Sequence, residues 1–443
     1  MRTLFSSLIF FVLFPPVLAA QDVSGGAPAS TQGVVYGAGI QTPLRFEGEA
    51  GPRNEVSFGV GASVLYDDNA WSTNLRRAGE EALSFDGTLG ITRRSEHWSG
   101  SLDYVPFFLW YSALGGFDRL NHSGTLNLNY QLTSRLTLGL HDTATYQIGS
   151  YPALVEQPIL SGPSPSAAQN ESIIPYTTRT LFNWSTLTLS FMKSRRTTIS
   201  LSGGYNQYKY KQQQSAQPFY NNTGLTGSLA YQYQFNEHTS IGFGLHHSDA
   251  SFQGGEVFGN RLRLQIESAS ASLVFRPAPS VHVTVFGGPE YVRSINPATP
   301  LASLAANWQA SGGANITKQI RSTAVDVSLA RFVGIAGGLY ASTIDTTASF
   351  GVRQRLVKGW EADASGGVAQ LDASLFKFGN SRTDGVNGGI SITHPVLHRA
   401  IFHVSYFRWD QVTHGTLPLT YSLDRDQIAV GIDLQVKSFP IGR

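Results

Sequence analysis

LNHSGTLNLNYQLTSRLTLGLHDTATYQI, residues Leu120 to Ile148, is the stretch whose reading decides the fold. Leu126, Leu128, Tyr130 and Leu132 alternate with Asn127, Asn129 and Gln131. A Thr133-Ser134-Arg135 corner follows, and Leu136, Leu138 and Leu140 then alternate with Thr137, Gly139 and His141. Period-two alternation marks a strand with one apolar and one polar face. Each arm is about ten residues long, which suffices to cross a bilayer when tilted. One two-stranded hairpin is not stable alone in water. The remainder of the chain is therefore expected to repeat it until the sheet closes.

Composition supports the same reading. Charged residues make up 14 % of the 443, against a usual figure of about 25 % for soluble domains. Mean hydropathy is only −0.10, too low for a bundle of membrane helices. A membrane barrel has this near-neutral value because only alternate residues face lipid. The net charge of +2 gives no pull toward nucleic acid. With no cysteine, disulfides, thiolate catalysis and zinc-thiolate sites are excluded.

Met1–Ala20, MRTLFSSLIFFVLFPPVLAA, has a basic residue, a short apolar core and small residues at Ala19-Ala20, the pattern of a secretory signal peptide. Residues 21–54 are rich in Gly, Ser, Ala and Pro and read as a flexible periplasmic arm. The barrel domain is expected over 55–443. From Glu55 onward the alternation scarcely stops. Val56, Phe58, Val60, Ala62, Val64 and Tyr66 share one face of the first strand, and comparable rows recur to Ile428–Val436. The count is about 18 strands, within a range of 16–18. Short corners fall near 94, 134, 195, 237, 278, 319, 357 and 397, with longer loops between them. The expected fold is all-β: a single transmembrane antiparallel β-barrel with short periplasmic turns and long extracellular loops. Its edges must close, because hydrocarbon offers unpaired backbone groups no partner. Tyr66, Trp71, Trp110, Tyr111, Tyr146, Tyr176, Tyr205, Tyr231, Tyr233, Tyr291, Trp360 and Trp409 sit near strand ends, where interfacial girdles are expected.

Barrels of this size hold an aqueous lumen. Taking the polar phase of each strand as inward, the expected pore-lining charges are Asp86, Asp103, Arg261, Arg263, Glu267, Asp326, Asp345, Arg353, Arg355, Glu361, Asp363 and Asp433. Four are basic and eight acidic, which implies a weak cation preference and no strong anion filter. His97-Trp98-Ser99 and His403-Val404-Ser405 place His and Ser two apart on one strand face. That spacing resembles the pairing of barrel lipid A deacylases, but neither pair has an evident orienting partner. Asp67-Asp68-Asn69 is a candidate cation-holding loop, and His246-His247 point to opposite faces and make a poor metal pair. No cofactor is implied and no enzymatic activity is expected.

The segment Val56–Asn69, with SFGVGASVLYDDN at its heart, resembles the first strand of porin-like barrels found with exopolysaccharide export systems. Those proteins begin with a signal peptide, a loose arm and a first strand ending in Tyr-Asp-x-Asn, here Tyr66-Asp67-Asp68-Asn69. The resemblance implies a role in moving polysaccharide at the bacterial outer membrane. In one respect the chain departs from the pattern: Phe439 is followed by Pro440-Ile441-Gly442-Arg443, whereas such barrels usually end on an aromatic. The leading expectation is a water-filled outer-membrane channel whose partners are the lipid bilayer and either small hydrophilic solutes or polysaccharide. The alternatives are a structural or adhesive barrel whose loops bind a partner, and a lipid-modifying enzyme. The sequence leaves the oligomeric state open.

Overall fold

The structure is a computed structural model, and it describes residues 54–70, 77–112, 119–148, 179–211, 221–253, 262–295, 307–334, 343–372, 382–397, 399–415 and 422–440. The expected signal peptide and all but the last residue of the arm lie outside those residues. The strands are β1 (Glu55–Asp67), β2 (Glu80–Arg94), β3 (Trp98–Tyr111), β4 (Arg119–Thr133), β5 (Leu136–Ile148), β6 (Arg179–Ser194), β7 (Thr197–Lys211), β8 (Asn221–Gln234) and β9 (Thr239–Gln253). They continue as β10 (Leu262–Ala278), β11 (Val281–Ile295), β12 (Asn307–Ile320), β13 (Thr323–Gly334), β14 (Thr343–Arg355), β15 (Glu361–Asp372), β16 (Arg382–Leu397), β17 (Ala400–His414) and β18 (Ser422–Pro440). Each pairs antiparallel with its sequence neighbours, and β1 also pairs with β18, so the 18-stranded sheet closes.

Connections alternate in length. The short ones run from two residues (134–135) to five (356–360), and the long ones from seven (112–118) to thirty (149–178). Short corners suit hairpins whose register must hold across a bilayer. Trp360, expected near a strand end, lies in the turn before β15, stacked on His394 with ring centroids 4.3 Å apart.

Register assigns every side chain to a face. Val64 is opposite Val430 and Leu83, Leu83 is opposite Trp110, and Leu201 is opposite Leu189 and Leu229. These chains of partners share the outward face. Its residues are apolar yet uncovered: Leu225 is 63 % exposed, Leu245 59 % and Val60 54 %. Soluble monomers do not carry an apolar surface that encircles the molecule. A hydrocarbon layer satisfies it, and the closed sheet leaves no backbone group unpaired there.

The strands are longer than a bilayer needs. A 17-residue β10 extends roughly 55 Å, against a hydrocarbon core of about 30 Å. Toward the long-loop end the chemical pattern inverts while the geometry does not. On β10, Leu273 and Phe275 face out, but so do Arg263, Gln265 and Glu267, and it is Leu262, Leu264 and Ile266 that face in and are buried. Pairing with β9 runs without a shift from Leu262 to Phe275, so no bulge causes this reversal. β17 and β18 behave alike: Ile428, Val430 and Ile432 face out, followed by Asp426 and Asp424, while Phe407 and Trp409 turn inward. The level of Glu267 and Asp426 is where the wall leaves hydrocarbon.

This inversion corrects two aromatic assignments. Tyr111 and Trp409 are inward and buried, not part of an outer girdle. Tyr66, Trp110, Tyr205 and the Tyr291–Trp308 pair (centroids 5.0 Å) remain on the outer face, as do Tyr231 and Tyr233, whereas Trp71 and Tyr176 lie outside the described residues. At the chain's end, a bulge between the rungs Phe58–Val436 and Val56–Phe439 restores Phe439 to the outward side opposite Val56.

Ile432→Arg, inside the outward apolar belt, is expected to lower stability by about 2–4 kcal/mol, and Thr223→Arg, outward but level with the ionic rim, by about 0–1 kcal/mol. Reversible guanidinium unfolding from lipid vesicles measures both, and equal costs would contradict the placement of the belt.

Candidate functional site

The inward face is divided in two. On β5 to β9, and on β10 as far as Val274, no described inward residue is Asp, Glu, Lys or Arg. Ser190 and Ser200 join their hydroxyls at 3.1 Å, Ser202 and Ser228 at 2.6 Å, and Trp184 Nε1 donates to Thr186 Oγ1 at 2.8 Å. Phe182 and Tyr208 pack with centroids 4.6 Å apart. This half of the lumen wall is hydroxyl, amide and aromatic. Small residues there leave room, since a wide barrel keeps space only if its inward side chains are short.

The other half carries the charges. Asp86, Asp103, Asp326, Asp345, Arg353, Arg355, Glu361, Asp363 and Asp433 all stand on the inward rows. Most are compensated locally. Arg353 Nε donates to Asp363 Oδ1 at 2.7 Å and Arg355 Nε to Glu361 Oε1 at 3.1 Å, both pairs lying directly across β14 and β15. Asp326 accepts from Asn315 Nδ2 at 2.9 Å and Thr317 Oγ1 at 3.0 Å. Asp86 and Asp433 close over Gly61 from the strands on either side, where a Cβ would meet both carboxylates.

Two of the expected lumen charges are on the other side of the wall. Arg263 and Glu267 face outward in the ionic rim above the apolar belt. Arg263 Nε donates to Asp249 Oδ1 at 2.7 Å, Gln265 Nε2 to Asp249 Oδ2 at 3.1 Å, and Arg293 Nη2 lies 3.6 Å from Glu267 Oε1. Equating polar with inward fails at these positions, because above the hydrocarbon both faces can be polar. Arg261 lies outside the described residues.

At the long-loop end the inward wall of β18, β1, β2 and β3 is packed rather than open. Leu65, Ala82, Phe107, Leu109, Tyr111 and Ala429 form a buried cluster with Ala70. Within it Asp67, fully buried, receives Arg425 Nε at 3.0 Å, Gln427 Nε2 at 3.0 Å and the Tyr111 hydroxyl at 3.3 Å, and a second Arg425 nitrogen completes a bidentate pair. Asn69 N caps Asp67 Oδ1 at 3.0 Å while its amide donates to the Asp424 carbonyl at 2.8 Å. Asp426 N donates to Asp68 Oδ1 at 2.7 Å, and Arg77 pairs with Asp68. The Asp67-Asp68-Asn69 element is therefore not a cation-holding loop. Its carboxylates are engaged by guanidinium and backbone groups, and it fastens β1 to β18.

His403 has the orienting partner that sequence did not reveal: its Nδ1 lies 3.1 Å from Asp433 Oδ2. Ser405 follows on the same inward row, and among the described residues no hydrogen bond joins it to His403. His97 lies in the β2–β3 turn, exposed. His246 faces in and His247 out, and among the described residues no three His, Asp or Glu side chains converge as a metal site. The charge-poor wall was the feature missed by reading residues one at a time. Its signal is legible in 180–192, 197–208 and 221–236, three runs without a charged residue.

No family model and no curated protein matches this chain by sequence. Solved structures similar in shape include OccK2 (OpdF) from Pseudomonas aeruginosa in complex with glucuronate, at 11 % identity and TM-score 0.44 over 88 % of this chain and 100 % of that one. OpdQ of the same organism matches at 10 % identity and TM-score 0.40 over 86 % and 98 %, and its siderophore receptor PirA at 9 % and 0.42 over 88 % and 81 %. Likeness this low says nothing about cargo, and the barrel rests on its own pairing.

Arg425→Met is expected to cost about 3–5 kcal/mol, because it strands the buried Asp67 carboxylate, whereas Asp67→Leu/Arg425→Met together recover most of that loss. Denaturant unfolding of the three proteins decides it. A double variant as unstable as the single one would mean that the pair is not a closed unit.

Proposed function

We propose that this chain is an outer-membrane channel for hydrophilic solutes, working in association with exopolysaccharide export. The supporting observation is the contrast between the faces of one sheet. The outer face is an apolar belt that only lipid satisfies, and the inner face is lined with hydroxyls, amides and locally paired charges. An envelope barrel with a polar interior is suited to carrying water-soluble cargo across an outer membrane. Association with polysaccharide export is favoured by the Tyr66-Asp67-Asp68-Asn69 element at the end of β1.

The inward charges form no ladder of one sign. Arg353–Asp363 and Arg355–Glu361 cancel across adjacent strands, and Asp67–Arg425 is shut into the packed wall. With seven carboxylates against two guanidiniums among the nine inward charges named above, such a lumen weakly favours cations and otherwise excludes by size and hydrogen bonding. The cluster of Leu65, Phe107, Leu109 and Tyr111 packs the inward wall at the long-loop end.

Purified, folded protein in planar bilayers is expected to give stable stepwise conductance with a small reversal potential in a KCl gradient, of the sign that marks weak cation preference. A silent membrane would overturn the channel, and a strongly cation- or anion-selective one would overturn the account of its paired charges. For the association with export, deletion of the gene in its host is expected to lower surface polysaccharide, and an unchanged yield would remove that part.

A further inference from the structure

The charge-free half of the lumen ends, toward the long loops, in polar side chains that are buried and have nothing to bond. Asn222 is 1 % exposed, and neither its amide nitrogen nor its amide oxygen has a partner. The same is true of Asn206 Oδ1, Thr180 Oγ1, Ser248 Oγ and Ser268 Oγ. These five residues stand on five consecutive strands, β6 to β10, and register turns all five inward. A folded protein leaves few buried polar groups unsatisfied, so five on one wall calls for a cause. Gly224, opposite Asn206, provides the space for that amide, since a Cβ on Gly224 would touch its oxygen.

Aromatic faces accompany them. Phe182 and Tyr208, on the inward rows of β6 and β7, pack at 4.6 Å with planes 40° apart, and Trp184 follows Phe182 on the same row. Amides and hydroxyls donate and accept without charge, and aromatic rings offer flat apolar surface. A polyhydroxylated ring matches this set: its hydroxyls meet Asn, Ser and Thr, and its C–H face lies on an aromatic plane. A carboxylated or phosphorylated ligand finds no Lys or Arg on the described inward rows of β6 to β9, or of β10 as far as Val274.

We infer that the inward wall of β6 to β10 is a binding site for an uncharged oligosaccharide, whose hydroxyls complete the hydrogen bonds that Asn206, Asn222, Thr180, Ser248 and Ser268 lack. This deepens the reading of the barrel as a channel for hydrophilic solutes and gives its cargo a chemical class.

Calorimetric titration of the detergent-folded, full-length barrel tests it independently of conductance. The probes are cellohexaose, maltohexaose, a hexamer of N-acetylglucosamine and the anionic hexagalacturonate. At least one neutral hexasaccharide is expected to bind, and hexagalacturonate at least tenfold more weakly. Asn206→Ala/Asn222→Ala is expected to weaken the neutral ligand tenfold or more while unfolding no earlier than the parent, because it deletes unpartnered polar atoms rather than made bonds. Binding by no neutral probe, equal or tighter binding of hexagalacturonate, or undiminished affinity in the double variant each overturns the inference. Failure of the channel reading would look different: saccharide binding intact in detergent, and a silent bilayer.

Discussion

The structure depends on one seam. Seventeen of the pairings join strands adjacent in sequence, and each forms from a local hairpin or a single loop. The eighteenth joins β1 to β18, more than 350 residues apart, and without it two rows of backbone N–H and C=O groups would face hydrocarbon. The chain secures that seam at both ends. At the long-loop end, Asp67 takes Arg425 and Gln427, and Asn69 and Asp68 bond the backbone at Asp424 and Asp426. At the short-turn end, a bulge turns Phe439 outward opposite Val56. The Tyr-Asp-x-Asn element, met in the sequence as a family-like motif, thus has a structural role: it is the clasp of the cylinder.

How much of this was legible follows from what alternation encodes. A period of two identifies a strand, and its breaks locate the corners, so β1 could be started at Glu55 and the eight short corners placed within a few residues. Period alone does not say which phase faces in. Within the hydrocarbon belt the apolar phase must be outward, and the assignments of Asp86, Asp326 and Asp433 to the inward rows follow from it. Above the belt water touches both sides, and the rule loses its basis. There β10 buries Leu262, Leu264 and Ile266 inside and displays Arg263 and Glu267 outside, while Tyr111 and Trp409 fill the interior. The partners of Asp67 and His403 were illegible for another reason. Arg425 and Asp433 lie hundreds or tens of residues away, and only closure and register bring them together.

The same register explains the division of the lumen. Inward charges gather on β1 to β3, β13 to β15 and β18, and oppositely charged neighbours tie β14 to β15 and β18 to β1. The opposite wall has no such task and carries short hydroxyls, amides and a few rings. Outside, Asp142 is the odd group: a carboxylate on the outward row, held by Asn183 and Ser185. Asp67–Arg425 thereby ties the seam, and the far wall carries neutral polar and aromatic side chains.

The central claim is that β1 and β18 are neighbours. The chain contains no cysteine, so introduced pairs report without background. Val64→Cys/Val430→Cys places two thiols opposite each other across the seam, and Val64→Cys/Leu83→Cys places them across β1 and β2 as a control. Mild oxidation of the folded barrel should cross-link both pairs with similar yield and give circularised, faster-migrating chains for the seam pair. A control that cross-links beside a seam pair that does not would mean an open sheet and would contradict the account.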